Sequence, residues 1–216
     1  MSVGNWDAPA TGSSGLSARL SRLVGMPGFW LTAFLLAVVA ALSLKLRLPL
    51  GANYWDTAVY LDAIQRIRLG QIPSLDFFAP VGPLGYYLAA GLHALFPQAQ
   101  PMLLVNWALL PVLLPVIALV AAHVDGRSRG QALALLLPFL LFASLPINLH
   151  SLYPQPGFDG FGHYNRHIAL LLYVLVATLL FVRHRVLLAG LVAALMLALF
   201  LTKITGAVAG AMLVGH

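Results

Sequence analysis

The chain has few charged residues and no cysteine. Only 8% of its 216 residues are charged, and its six acidic residues are all aspartate, so glutamate is absent. The lack of cysteine excludes a disulfide framework, a thiolate metal site and a thiol nucleophile. Soluble globular domains carry about 25% charged residues, whereas this chain is 61% hydrophobic. The composition therefore predicts an integral membrane protein rather than a water-facing fold.

The net charge of +6 raises the question of nucleic acid as a partner. The twelve lysines and arginines, however, are scattered at the ends of apolar runs, where they would anchor transmembrane helices. A nucleic-acid site needs a basic patch with stacking aromatic residues, and the sequence has no such patch. We therefore expect membrane lipid, and not nucleic acid, around this chain.

Long uncharged runs indicate an all-α, polytopic membrane helical bundle. Residues 1–22, rich in Gly, Ser and Ala towards the start, predict a disordered cytoplasmic tail before a membrane domain at 23–216. At about 1.5 Å per residue, runs of about 20 residues cross a hydrocarbon core of about 30 Å. The run 81–96 is short and interrupted by glycine, so it predicts a helix that lies in the interface or re-enters. The predicted spans are 23–44, 102–122, 131–147, 167–182 and 186–202.

The loops between these spans differ in length, which suggests an orientation. With the amino terminus inside, the short loops 123–130 and 183–185 are cytoplasmic, and the long loops 45–101 and 148–166 are external. Most of the aspartates fall in the external loops, so any site is expected at the outer membrane surface, in a bacterial inner membrane. The last apolar run, 204–215, is too short to cross, which suggests a fragment of a longer protein or a truncated product.

Residues 56–69 have the pattern of an amphipathic juxtamembrane helix that lies on the membrane. Tyr60, Ala63, Ile64 and Ile67 fall on one face, opposite Asp62, Gln65 and Arg66, and Gly70 follows near the end. Asp62 and Arg66, four residues apart, are expected to pair across one turn.

The first external loop also contains Asp56 and Asp76. Asp56 stands in the first turn of the predicted helix, where it is either an N-cap or a carboxylate placed to take a proton from an acceptor hydroxyl. Asp76 lies in a proline-rich loop, where it is either a turn former or, with Asp56, a ligand for an acceptor or a divalent cation.

A second polar cluster precedes the span at 167–182. It comprises Asp159, His163, Tyr164, Asn165, Arg166 and His167. Arg166 and His167 either anchor the helix at the interface, or Arg166 and a histidine bind a lipid phosphate. His163 and His167 have the spacing of a metal pair, but no third ligand is in register, so zinc is not expected. Lys203 follows the last long span, where it either snorkels to the outer interface or meets the same phosphate.

The order of these parts resembles the first external loop of the C-type (GT-C) membrane glycosyltransferases. The likeness is to the bacterial set related to protein O-mannosyltransferases and lipid A aminoarabinose transferases. It covers residues 54–97: an external aspartate after a span, an amphipathic helix ending in glycine, a Pro–Asp–aromatic loop, and the helix "PLGYYLAAGLHALF". The stretch "HYNRHIALLLY" is similar to the second-loop motif of the bacterial members.

The resemblance implies a glycosyltransferase that uses a polyprenyl-phosphate-linked sugar and passes it to a glycan, lipid or protein acceptor at the non-cytoplasmic face. Asp56 matches the carboxylate proposed as catalytic base, and Asp76 matches a second acidic position. The expected substrate-binding residues are Tyr60, Asp76, Asp159, His163, Asn165, Arg166 and Lys203. No cofactor is assigned, and a divalent cation is left open.

The chain also departs from the family pattern. Thr57 stands where many relatives carry a second acid, and the relatives are longer, with further spans that complete the lipid cavity. The alternative is a non-catalytic membrane protein, namely a transporter fragment, an assembly subunit or a degenerate transferase. A transporter would place charged groups in the middle of its spans, and the predicted spans contain none.

Overall fold

The computed structural model describes Ser17 and residues 22–48, 54–144 and 162–215. This part of the chain is helical, and its only β-type pairing is an isolated bridge between Pro73 and Phe77. The all-α prediction is therefore confirmed for the described residues. In chain order the helices are α1 (Pro27–Ser43), α2 (Trp55–Arg68), α3 (Leu84–Leu95), α4 (Pro101–Asn106), α5 (Leu110–Asp125), α6 (Arg129–Ser144), α7 (His163–Phe181), α8 (Arg185–Thr202) and α9 (Ile204–Val214).

Two helices of the described ranges, α7 and α8, are long and apolar enough to cross a membrane. The helices α1, α5, α6 and α9 are apolar but shorter, with 10–17 residues each. Membrane association thus has support from length and composition in α7 and α8.

The run 102–122 does not form one helix, and that prediction is wrong. It is divided into α4 and α5 by a turn at Trp107–Leu109. Pro111, in the first turn of α5, has no N–H to donate, and its ring would clash with the carbonyl of Trp107 in a continuous helix. A proline is accepted at the start of a helix, so the break falls just before it.

Helix α7 lies at the centre of the bundle. It packs against α8 and α9 and also against α5 and α6. Leu171, Val174 and Leu175 of α7 are buried in one continuous apolar core with residues of α5, α6 and α8. Because only three residues, Val182–His184, join α7 to α8, these two helices run in opposite directions.

Helix α9 packs closely on this pair because it presents glycines at positions 206 and 210. A Cβ at Gly206 would lie 3.1 Å from the side chain of Ile168, and one at Gly210 would lie 2.8 Å from that of Leu199. Small residues four apart allow such a close approach between apolar helices.

Helix α2 has the two faces expected from its sequence. Tyr60, Ala63 and Ile64 are buried, and Asp62 and Gln65 are exposed. The buried face, however, packs against α3 and α4, whereas the sequence pattern was interpreted as a helix resting on lipid. An apolar stripe is the same whether protein or lipid covers it, so the pattern alone did not distinguish the two.

The segment from α2 to the start of α3 is fixed to one end of the α7–α8 pair. Residues at the start of α2 contact Gly162 and His163, where α7 begins. At the other end of the segment, the Gly82 N–H donates to the carbonyl of Thr202, where α8 ends. The segment therefore lies across the end of the bundle at which α7 starts and α8 stops.

Candidate active site

The candidate site is the contact between the start of α2 and the start of α7. The Gly162 N–H donates to Asp56 Oδ2 at 2.5 Å, and Thr57 Oγ1 and His163 Nε2 are hydrogen-bonded at 3.1 Å. Each pair joins residues that are 106 positions apart in sequence. Two segments that the sequence analysis assigned to different external loops are thus in direct contact.

Asp56 lies in the first turn of α2 and is 8% exposed. Tyr54 occupies the N-cap position of this helix, so the N-cap interpretation of Asp56 is wrong. The carboxylate bonds instead to the residue immediately before α7. The partial positive charges of both helix N-termini favour a negative charge at this point. The contact therefore holds and orients an acidic group.

Aromatic and imidazole rings pack beneath this carboxylate. Tyr60 packs against Tyr86 with ring centroids 4.7 Å apart and ring planes tilted by 54°, and its ring meets His163 and His167 edge-on at 6.3 Å. Gly85 leaves room for the Tyr60 hydroxyl, since a Cβ there would lie 2.6 Å from that oxygen.

The two tyrosines remain protonated. Burial, followed by Tyr86 and Asp56, raises the pKa of Tyr60 far above its usual value. Burial and then Asp56 likewise raise the pKa of Tyr86. Neutral phenols of this kind serve as hydrogen-bond donors or packing groups and not as bases.

His167 lies one turn after His163 in α7, and its ring contacts the end of α4, just before the turn that leads to α5. Its Nε2 lies 3.1 Å from the carbonyl of Val105 and 3.3 Å from that of Asn106. Because carbonyl oxygens only accept, Nε2 carries the proton. His167 therefore satisfies carbonyls at the end of α4. Asn106 Nδ2 and Trp107 Nε1, beside the same break, both donate to the carbonyl of Ala143 near the end of α6.

One nitrogen of each histidine has no partner among the described atoms. These are the Nδ1 atoms of His163 and His167, both buried. Buried polar atoms are usually hydrogen-bonded, so two such atoms in successive turns are unusual.

Lys203 brings positive charge to the same end of α7. It stands between α8 and α9, and its Nζ donates to Asn165 Oδ1 at 3.1 Å and lies 4.7 Å from the ring centre of Tyr164. Lys203 and Asn165, which the sequence analysis selected separately, are therefore in contact.

Arg166 is directed towards α6. Its Nη2 donates to the carbonyl of Phe142 at 3.2 Å, and its guanidinium carbon lies 5.1 Å from the centre of the Phe142 ring. This contact matches the helix-anchoring interpretation of Arg166.

The remaining predicted site residues are not brought into this contact. Asp76 Oδ2 accepts the N–H of Ile72 at 2.7 Å, which is the role of a turn former. Asp159 lies outside the described residues. Within the described ranges no group of three or more His or Asp side chains is placed to hold a metal ion.

The structure also has an apolar groove away from this contact. It has a volume of about 610 Å³ and lies between α1 and α6, with Trp30, Phe34, Leu137 and Leu141 among its lining residues. Asp56 does not line it.

Sequence reasoning missed several members of the site. Thr57 was noted only as a departure from a family pattern, His167 was considered only as an anchor or half of a metal pair, and Tyr86 and Asn106 were not selected. Asn106 carried a usable signal, because a lone amide inside the apolar run "MLLVNWALLP" needs a partner. Tyr86 carried none, since an aromatic residue in an apolar helix is ordinarily part of the core.

We compared the chain with protein-family models, with curated proteins and with solved structures, and none of them matches it.

Proposed function

We propose that this chain is an integral membrane glycosyltransferase that moves a sugar from a polyprenyl-phosphate-linked donor to an acceptor at the non-cytoplasmic face. In this proposal α7 and α8 cross the bilayer, and the shorter α1, α5 and α6 cross with them. A helix of 16 or 17 residues is about 25 Å long, close to a hydrocarbon core of about 30 Å.

The observation that carries the proposal is the bond between Asp56 and the start of α7. It places a carboxylate at one end of the candidate spans, and both helix N-termini favour its charge. The Lys203–Asn165 pair lies at the same end of α7. A base and a cation on one membrane surface are what sugar transfer from a lipid phosphate requires.

The proposed chemistry uses both groups. The acceptor hydroxyl gives its proton to Asp56, and its oxygen forms a bond with the anomeric carbon of the sugar. The bond from that carbon to the phosphate oxygen breaks, and the polyprenyl phosphate leaves with the electron pair. Lys203 supplies positive charge for the departing phosphate. Because Asp56 is only 8% exposed, the acceptor reaches it when the α2–α7 contact opens.

The test is transfer of radiolabelled hexose from undecaprenyl phosphate in membranes that contain the chain. We expect Asp56→Asn to lower the rate by about 10²–10⁴-fold, the range for loss of a general base. Asp62→Asn is the matched control, because Asp62 is an exposed carboxylate on the same helix, and its rate should stay within about twofold. Full turnover by Asp56→Asn removes this residue from the mechanism, and no transfer by the unaltered chain contradicts the proposed activity.

One observation favours a second candidate, a non-catalytic membrane protein. Asp56 and Thr57 are buried and bonded across helices, as residues that fasten two helices together would be. This alternative predicts that Asp56→Asn lowers the melting temperature in detergent well below that of Asp62→Asn, and that neither membrane preparation transfers sugar.

A further inference from the structure

The loop 69–79 between α2 and α3 has a defined conformation. Helix α2 ends in a Schellman motif, in which Gly70 N–H bonds to the carbonyl of Ile67 and Gln71 N–H bonds to that of Arg66. Gly70 has φ +84°, a conformation that glycine adopts without strain. Farther along, the Ile72 N–H donates to Asp76 Oδ2.

Arg66 ties this loop back to α2. Its Nη1 donates to Gln71 Oε1 at 3.4 Å, and its guanidinium carbon lies 5.4 Å from the centre of the Phe77 ring. The isolated bridge between Pro73 and Phe77 closes the loop at the same place. A loop held by this many bonds presents its outward side chains in fixed positions.

Four of those outward side chains are large and apolar. Leu69, Ile72, Leu75 and Phe78 are exposed by 81%, 46%, 80% and 85%. Single exposed apolar residues need no explanation, but several on one ordered loop indicate an interaction surface. We call these four residues the apolar tip.

The position of the loop identifies what covers the apolar tip. The segment that carries it is bonded to the start of α7 through Asp56 and to the end of α8 through Gly82. These are the ends of the two helices that are long and apolar enough to span a membrane. Gly82 follows the loop by three residues, so the loop lies beside the end of the bundle at which α7 starts and α8 stops. Arg68, exposed next to Leu69, suits the anionic headgroups found at the ends of membrane spans.

We infer that the apolar tip inserts into the headgroup–acyl boundary of the bilayer that α7 and α8 cross. Lipid is the occupant because the tip is apolar, lies beside the ends of the candidate spans and is next to a cationic side chain. The inference needs the membrane-spanning part of the proposed function and does not depend on sugar transfer.

Because the chain has no cysteine, single labels can be placed cleanly. Phe78→Cys carries an environment-sensitive NBD fluorophore in nanodiscs of phosphatidylethanolamine and phosphatidylglycerol. Asp62→Cys is the water-facing control, and Leu197→Cys, 58% exposed on α8, is the lipid-facing control. Quenching is measured with doxyl-labelled lipid and, separately, with aqueous iodide.

We expect doxyl lipid to quench the label at Phe78 at least threefold more than the label at Asp62, with the reverse order for iodide. Suppose that iodide quenches the label at Phe78 as strongly as the label at Asp62, while doxyl lipid quenches the label at Leu197. The apolar tip then lies in water and the inference is overturned, whereas the proposal that α7 and α8 span the membrane stands. Protection of Phe78 from both quenchers means that protein covers the tip, which also overturns it. If doxyl lipid fails to quench Leu197, both the inference and the membrane-spanning proposal are wrong.

Discussion

At the scale of single residues, the bond between Thr57 and His163 offers a direct measurement of the candidate site. Thr57→Val keeps the shape of the side chain and leaves the buried Nε2 of His163 without its partner. We expect the free energy of unfolding to fall by about 1–3 kcal/mol, the cost of an unsatisfied buried polar group. Chemical denaturation in bicelles, followed by circular dichroism, would measure it.

Thr178→Val is the matched control for this experiment. Thr178 is also buried, but its hydroxyl donates to the carbonyl of Val174 within its own helix. Its removal leaves no polar side chain stranded, so the expected loss is smaller than for Thr57→Val and at most about 1 kcal/mol, the net contribution of one hydrogen bond. If the two substitutions lower the free energy of unfolding equally, the Thr57–His163 bond contributes no more to stability than a hydrogen bond within one helix.

The residues of the site differ in how far sequence could predict them. The pair of Arg66 and Asp62 was predicted and is present at 2.7 Å, because residues four apart on one helix must be neighbours. The sequence placed Asp56 and the loop 148–166 on the same side of the membrane, but it did not predict the bond between Asp56 and Gly162. A helix pattern relates residues within one or two turns and not residues 106 positions apart.

At the scale of helices, Gly82 determines how closely the start of α3 approaches the end of α8. A Cβ at this position would lie 2.1 Å from the carbonyl oxygen of Leu201, and backbone cannot move aside as a side chain does. We expect Gly82→Ala to lower the free energy of unfolding by about 1–3 kcal/mol, the usual cost of overpacking. Denaturation in bicelles provides the measurement.

Gly91→Ala serves as the control within α3. A Cβ at Gly91 meets nothing within 4 Å, and alanine favours helix over glycine by up to about 1 kcal/mol. This substitution should therefore be neutral or stabilising. Loss of stability in both variants would mean that an added methyl group is not tolerated at either position. The effect at Gly82 could then not be assigned to its approach to Leu201.

The same scale shows where helix prediction from apolar runs succeeds and where it fails. The hydrophobic run at 186–202 became α8 almost residue for residue, because an uninterrupted apolar run has one favourable structure in a membrane. The run at 102–122 is equally apolar, yet Pro111 divides it. Counting apolar residues ignores the prolines, whose rings remove a backbone donor. Pro115 lies within α5 without ending it, so the position of the break could not be read from the number of apolar residues.

At the scale of the whole molecule, the two short turns that carry arginines lie at the same end of the bundle. Arg127 Nη1 donates to the carbonyl of Phe181 at 3.2 Å, so the turn after α5 lies beside the end of α7. The arginines of both turns, 127, 129, 183 and 185, are therefore at the end opposite Asp56. Helix α7 has 19 residues, or about 28 Å, which separates the two ends by about one hydrocarbon core.

The orientation of this bundle can be tested with single cysteines. The loop lengths of the sequence predict that the end with the two short turns is cytoplasmic, so Arg183→Cys should react with a membrane-impermeant maleimide only after the cells are permeabilised. Asp62→Cys should react in intact cells. Both positions are exposed, so accessibility of the side chain itself is matched. Reaction of Arg183→Cys in intact cells would reverse the orientation and place the candidate site on the cytoplasmic side.

The bond between Asp56 and Gly162 also sets an order of events during synthesis. The ribosome must add a further 106 residues after Asp56 before Gly162 exists, which takes roughly 5–20 s at the usual elongation rate. Throughout that interval the first turn of α2 is without its final partner. The nascent chain therefore passes through a stage in which α2 has been made and the site has not, and the site closes only when α7 is delivered.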